Sequence, residues 1–286
     1  TEKDYAVHIQ DGNGQTVGAY ETLAEALAGA QSGDTVRLMD DVDSAAALTV
    51  PGGVTLDGNG FSINYTGARV EADKPNSGAF LTVNADADGV TIRDVIINAG
   101  ENIRHGVQFY CADGCVLENV TVNGGAWTSV MVNGAQDVTV KDSILNPKEG
   151  AYATIEYGMG SGVTTIPSVE LENVTSNGDI VVWVDNDTVT RVVKADGGDH
   201  ITTAEEAADV ILEKITTTNN DSITVMIQVS SEAGAAPETV VKPSTKPAPS
   251  GGSSVTRYEV AVAETENGAV TVSPQRAARG RTVTIT

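Results

Sequence analysis

Eight ionisable residues in the middle of the chain have the types that acid–base chemistry uses: Glu101, Arg104, His105, Lys148, Glu149, Glu156, Asp179 and Asp185. Cleaving a glycosidic bond by hydrolysis needs two carboxyls at a fixed separation. Eliminative cleavage of an acidic polysaccharide needs a base, often Arg or Lys. Glu156, Asp185 and Lys148 are the catalytic candidates, with Glu156 and Asp185 expected on neighbouring turns of the fold. A second set suits binding. The only two tryptophans, Trp127 and Trp183, fall in this same region with Tyr110 and Tyr152, and rings on a strand face can stack on sugars. The ligand-binding candidates are Trp183, Tyr110, Trp127, Gln108 and Glu156. The alternative is that the rings plug the ends of the molecule or lie under loops.

What would position them is a phrase that recurs: VTIRDVIIN from Val90, VLENVTVN from Val116, VTVKDSILN from Val138 and VELENVTSN from Val169, with starts 26, 22 and 31 residues apart. Short alternating strands at this period, without helix, indicate a solenoid. A second strand accompanies each phrase: Val107–Tyr110, Val130–Val132, Ala153–Tyr157 and Ile180–Val184. Asp88-Gly89, Asp113-Gly114, Asn133-Gly134 and Gly158 to Gly162 supply corners. Asp94, Asn119, Asp142 and Asn173 recur at mid-phrase, where a short polar side chain can bond its own backbone and its copy on the next rung. Alternation puts Val107, Phe109, Val130, Val132, Ile155, Ile180, Val182 and Val184 inside. It puts Gln108, Tyr110, Met131, Thr154, Glu156, Val181, Trp183 and Asp185 outside.

The phrase V-x-[IL]-x-[DN]-[VS]-x-[ILV]-x-N resembles the right-handed parallel β-helix family of the pectate-lyase-like type, over roughly 22–184. That resemblance implies an all-β solenoid whose functional groups project outward from one strand stack. The fold hosts lyases, hydrolases, esterases, tailspikes and adhesins, so it does not fix an activity. The polygalacturonase pattern is absent, Arg104-His105-Gly106 being its nearest approach, and so is a lyase-like Asp cluster with R-x-x-R. Asp40, Asp41 and Asp43 read as a solvated turn. GMGSG from Gly158 precedes no helix and is a corner, not a phosphate loop.

Terminal segments should cap the coil. Residues 5–20 read as a hairpin, and Thr22–Ala30 as a helix with a Thr22/Glu25 capping box, together an N-terminal cap over 1–33. The string from Asp11 is similar to the start of an EF-hand loop for Ca²⁺, but its twelfth position is Thr22 in place of the Glu such a loop uses, and no metal ligands are assigned. Asn64–Ser77 is a long polar insertion. A second helix over Thr203–Ile215, with Thr203 and Glu206 as its box, and the strand from Ser222 form a C-terminal cap within 190–231. The β-helix domain thus spans 1–231, a Pro/Ser/Gly linker 232–254, and a partial small β module 255–286. That last stretch resembles internalin-type B-repeats of Gram-positive surface proteins, which implies a secreted or cell-surface setting.

Lys and Arg total 17 against 39 Asp and Glu, a formal charge of −22. Nucleic acid and anionic lipid surfaces select the opposite sign. No apolar run is long enough to span a membrane. The beginning lacks a signal-peptide pattern, and the end stops within a strand pattern, as expected of a fragment. Cys111 and Cys115 could bridge across the turn or be stacked thiols. Three histidines and two cysteines do not make a zinc spacing. The reading is an extracellular, non-catalytic β-helix module, monomeric, without a required cofactor, binding a glycan or a host or cell-surface ligand. A polysaccharide lyase or glycoside hydrolase is the alternative, and a structural spacer the second.

Overall fold

The computed structural model describes residues 5–69, 78–160, 162–176, 178–184, 186–196 and 201–218, with strand backbone at 222–229, 238–243, 257–259, 272–273, 276–278 and 284–285. The chain divides into two compact units, 1–247 and 248–286.

The first unit opens with β1 (Val7–Gln10) and β2 (Thr16–Tyr20), an antiparallel hairpin as expected. Helix α1 (Leu23–Gly29) follows. Thr22 caps it by accepting a hydrogen bond from the Glu25 amide, and Leu23, Ala26 and Leu27 are buried. The repeat then begins. Its rungs are β3 (Thr35–Leu38), β4 (Val42–Ser44) and β5 (Leu48–Thr49); β6 (Thr55–Asp57), β7 (Ser62–Tyr65) and β8 (Ala79–Val83); β9 (Thr91–Arg93), β10 (Ile96–Gly100) and β11 (His105–Tyr110). They continue as β12 (Val116–Glu118), β13 (Thr121–Gly124) and β14 (Thr128–Asn133); β15 (Val138–Lys141), β16 (Ile144–Asn146) and β17 (Ala153–Gly158); β18 (Val169–Glu172), β19 (Thr175–Ser176) and β20 (Ile180–Val184). The first strands of all rungs form one parallel sheet, the second strands another and the third strands another. The chain is therefore mostly parallel strands in stacked sheets, an all-β solenoid arrangement.

Like residues stack inside. Val36, Leu56, Ile92, Leu117, Val140 and Leu171 form one fully buried column. Leu81, Val107, Val130, Ile155 and Ile180 form another. Burying each such side chain is worth ~1.5–3 kcal/mol, and the rung spacing of ~4.8 Å brings identical positions into contact. The columns begin at Val36 and Val42, which pair with Leu56 and Ile63 of the next rung.

Two polar columns fix the register. Asn59, Asp94, Asn119, Asp142 and Asn173 all occupy the left-handed region, with φ between 51° and 53°, and turn the chain from the first sheet to the second. Asn119 donates to Asp94 and Asn173 to Asp142, each at 2.6 Å. Just ahead of the corners runs a charge column in register: Arg37, Asp57, Arg93, Glu118, Lys141, Glu172. Arg37 and Arg93 both pair with the buried Asp57, at 2.7 and 3.0 Å, and Lys141 pairs with Glu118 at 3.1 Å. On the second sheet Asn64, Asn98, Asn123 and Asn146 pass side-chain hydrogen bonds from rung to rung at 2.8–2.9 Å, and Asn64 donates to Asp43. Asp41 accepts from the Ser62 amide and hydroxyl. Asp40, Asp41 and Asp43 are exposed, as expected of a solvated turn, and Asp43 also heads the ladder.

Past β20 come α2 (Asn186–Asp196), α3 (Ala204–Glu213), β21 (Ile215–Thr218) and β22 (Ser222–Val229). α3 carries the expected Thr203/Glu206 box and buries Ala204, Ala207, Ala208, Ile211 and Leu212. Ile215, read from sequence as the end of that helix, instead opens β21, which extends the first sheet. β22 extends the third sheet beside β20. Within the stretch read as linker, β23 (Glu238–Pro243) pairs antiparallel with β22; the rest of 232–254 lies outside the described residues. In the second unit β24 (Arg257–Glu259) pairs with β26 (Arg276–Ala278), and β25 (Val272–Ser273) with β27 (Thr284–Ile285), all antiparallel. Residues 70–77 of the expected insertion also lie outside the described residues. Cys111 and Cys115 are free thiols, Cys115 buried. Burial raises both thiol pKa values, with nearby carboxylates adding to the effect.

Candidate functional site

The site is built where the second-sheet strands hand over to the third. Gly124 and Gly125, at φ 94° and 91°, make that loop short on the β13–β14 rung. A Cβ on Gly125 would stand 2.0 Å from the Thr128 carbonyl oxygen, so only glycine fits. The Trp127 amide donates to the Arg104 carbonyl of the rung before, and the Trp127 carbonyl accepts from Ala153 of the rung after. Arg104, Trp127 and Tyr152, each just ahead of its strand, are thereby stacked.

Their side chains follow. The Arg104 guanidinium lies 4.6 Å from the Trp127 ring centroid. The Tyr152 ring is stacked on Trp127 at 4.8 Å and 21°. Trp183, from the next rung, meets Tyr152 edge-on at 6.2 Å and 68°. Arg104 and Tyr152 come from opposite sides of Trp127, so its faces are taken by its own neighbours. Of the two expected platforms, Trp183 is the one without a stacked partner among the described residues.

Glu156 sits against this pile. Its Oε2 accepts a hydrogen bond from the Trp127 indole at 3.1 Å. Among the described residues it forms no ion pair. Burial pushes its pKa up from 4.5 to about 7; the indole hydrogen bond and the charge of Arg104 only partly oppose this. In register it lies between Met131 and Val181, with Gln108 two rungs away. Beside it, Tyr152 is held in its phenol form by burial first and Glu156 second. The Tyr152 hydroxyl and the Thr154 hydroxyl are buried without a hydrogen-bond partner among the described residues. His105 is buried with Nδ1 2.7 Å from the Thr128 hydroxyl. Burial and Arg104 lower its pKa to about 3, so it stays neutral.

The structure thus brings Trp127, Trp183 and Glu156 together, and adds Arg104 and Tyr152. It does not add the others. Tyr110 stands at the far end of its strand beside Asn133 and packs on the core. Gln108, Thr154 and Val181, expected on an open face, are 4%, 0% and 3% exposed. The Thr154 hydroxyl lies close to Gly178 of the next rung. Lys148 pairs with Glu101 at 2.8 Å, and that pair spans from the loop before β11 to the loop before β17. Asp185 lies outside the described residues, so its expected pairing with Glu156 is not among the contacts. Glu149 and Asp179 are exposed. No cluster of three metal-ligating side chains occurs among the described residues, and the Asp11 carboxylate is engaged with the Asn13 and Gln15 amides of its turn.

Sequence reasoning missed Arg104 as a partner of Trp127 and the self-stacking of the rings. The signal was present: Arg104, Trp127 and Tyr152 each stand immediately before a strand of the third sheet. No family model matches the chain, and no curated protein or solved structure matches it.

Proposed function

We propose that the chain is a glycan-binding module of an extracellular, cell-surface protein, built on a right-handed, pectate-lyase-like β-helix. One observation carries this: Arg104, Trp127, Tyr152, Trp183 and a half-buried carboxyl are linked by contacts across successive rungs of the third sheet. Aromatic rings edged by a few polar groups suit a saccharide, whose ring faces are apolar and whose rims are hydroxylic. In this reading the sugar meets Trp183 and Glu156, while Trp127 and Arg104 hold Glu156 in place. The acidic balance of the chain disfavours nucleic acid as the partner. The stretch after 254 would be the start of a stalk repeat, and the molecule a monomer without a required cofactor. Binding to a panel of immobilised glycans, compared between the chain and Trp183→Ala, tests the proposal. Binding that the substitution abolishes supports it; no binding by either chain leaves a spacer.

Glu156 favours a second reading, a glycoside hydrolase or polysaccharide lyase. A carboxyl that is half-protonated near neutrality suits a general acid or base. Release of reducing ends or unsaturated products from a polysaccharide panel, lost in Glu156→Ala, would establish it. Lys148 would then have to leave Glu101 to take part.

A further inference from the structure

We infer that the Glu156 carboxyl takes up a proton when an uncharged saccharide covers it, so that binding on this face is coupled to acidity near neutrality. The inference rests on the glycan-binding role proposed above and adds its regulation.

The geometry leaves Glu156 with little choice. Its Oε2 has the Trp127 indole as donor, and Oε1 has none among the described residues. Neither neighbour in its own column supplies charge: Met131 lies on one side and Val181 on the other. The nearby cation, Arg104, spends its face on Trp127. The remaining titratable groups around the site do not relieve it. Tyr152 stays protonated and His105 stays neutral near neutral pH. Lys148 is held by Glu101. Glu149 and Asp179, both exposed, would only add negative charge. The carboxyl therefore titrates near neutrality in the free chain.

An uncharged saccharide laid over Glu156 removes water and brings no positive charge. That makes the ionised form costlier, so the proton from solvent binds more tightly. Reciprocity then requires the saccharide to bind more tightly as pH falls. A cationic ligand would reverse the sign.

The test has two arms. In the first the proton alone is the probe. Tryptophan fluorescence of Trp183→Phe, which leaves Trp127 as reporter, is followed from pH 5 to 9. A transition centred near 7, absent when Glu156→Gln is added, is expected. No transition, or one that survives Glu156→Gln, overturns the inference. Should that variant misfold, the carbon-13 carboxyl resonances of the unsubstituted, glutamate-labelled chain give the same titration. In the second arm galactomannan oligomers, uncharged, and polygalacturonate oligomers, acidic, are titrated by calorimetry at pH 7 in two buffers of different ionisation enthalpy. Uptake of roughly half a proton is expected, with affinity roughly fivefold higher at pH 6 than at pH 8. Binding without proton uptake overturns the coupling alone. No saccharide binding at either pH overturns the binding role, and the coupling with it.

Discussion

The Trp127 indole donates to the Glu156 carboxyl across one rung at 3.1 Å, and that single bond is all that the half-buried acid receives among the described residues. Glu156 keeps its proton up to about pH 7, against 4.5 ordinarily. The folded state therefore binds that proton more tightly than the unfolded chain does. Its stabilising contribution is full below about pH 4.5 and is lost as pH rises toward 7. The difference corresponds to roughly 3 kcal/mol. Glu156→Gln should remove this part of the pH dependence and gain on the unsubstituted chain between pH 5 and 8. Urea unfolding at four pH values measures it; parallel curves for the two chains would refute it.

Asp57 is the acid between two arginines, 2% exposed. Asp57→Ala leaves Arg37 and Arg93 as like charges on the two rungs that flank it, with Asn59 still bonded to Arg37. We expect a loss of about 2–4 kcal/mol, read as a lower melting temperature. A change below 0.5 kcal/mol, on the order of an ordinary surface substitution, would mean that the column carries no stability.

Asn123 both donates to Asn98 and accepts from Asn146. Asn123→Ala cuts the ladder at its middle and should cost about 1–2 kcal/mol. Asp43→Ala, at the head, removes one bond of this ladder and should cost less. Equal losses would show that the amides act singly rather than as a chain.

Gly125→Ala forces a Cβ against the Thr128 carbonyl in a left-handed conformation. A loss of more than ~2 kcal/mol is expected. Because Trp127 follows two residues later, the substitution should also shift tryptophan fluorescence. A variant as stable as the original would mean that the loop has another path.

The interior was legible because period-two alternation needs only local pattern. Val107, Val130, Ile155 and Ile180 are buried as their positions demand. The corner residues were legible for a similar reason: Asp94, Asn119, Asp142 and Asn173 repeat at one point of the phrase, and a left-handed turn favours those types. The outer face was not. Alternation says which way Gln108 and Val181 point but not what lies over them, and that depends on loops from other rungs. Helix α2 went unread although Val189, Val192 and Val193 recur at helical spacing in NDTVTRVVKAD; Val192 is buried and the other two pack against the core. The charge column was readable and went unread. Arg93, Glu118, Lys141 and Glu172 each precede the corner residue, and their signs alternate.

That alternation gives the coil a parity. Basic rungs carry Asp at the corner (Arg93-Asp94, Lys141-Asp142), and acidic rungs carry Asn (Glu118-Asn119, Glu172-Asn173). Excising one turn would set two bases or two acids against each other at the seam and leave an amide facing an amide or an acid facing an acid. Excising two adjacent turns would restore both matches. The natural unit for lengthening or shortening this molecule, by evolution or by hand, is a pair of turns.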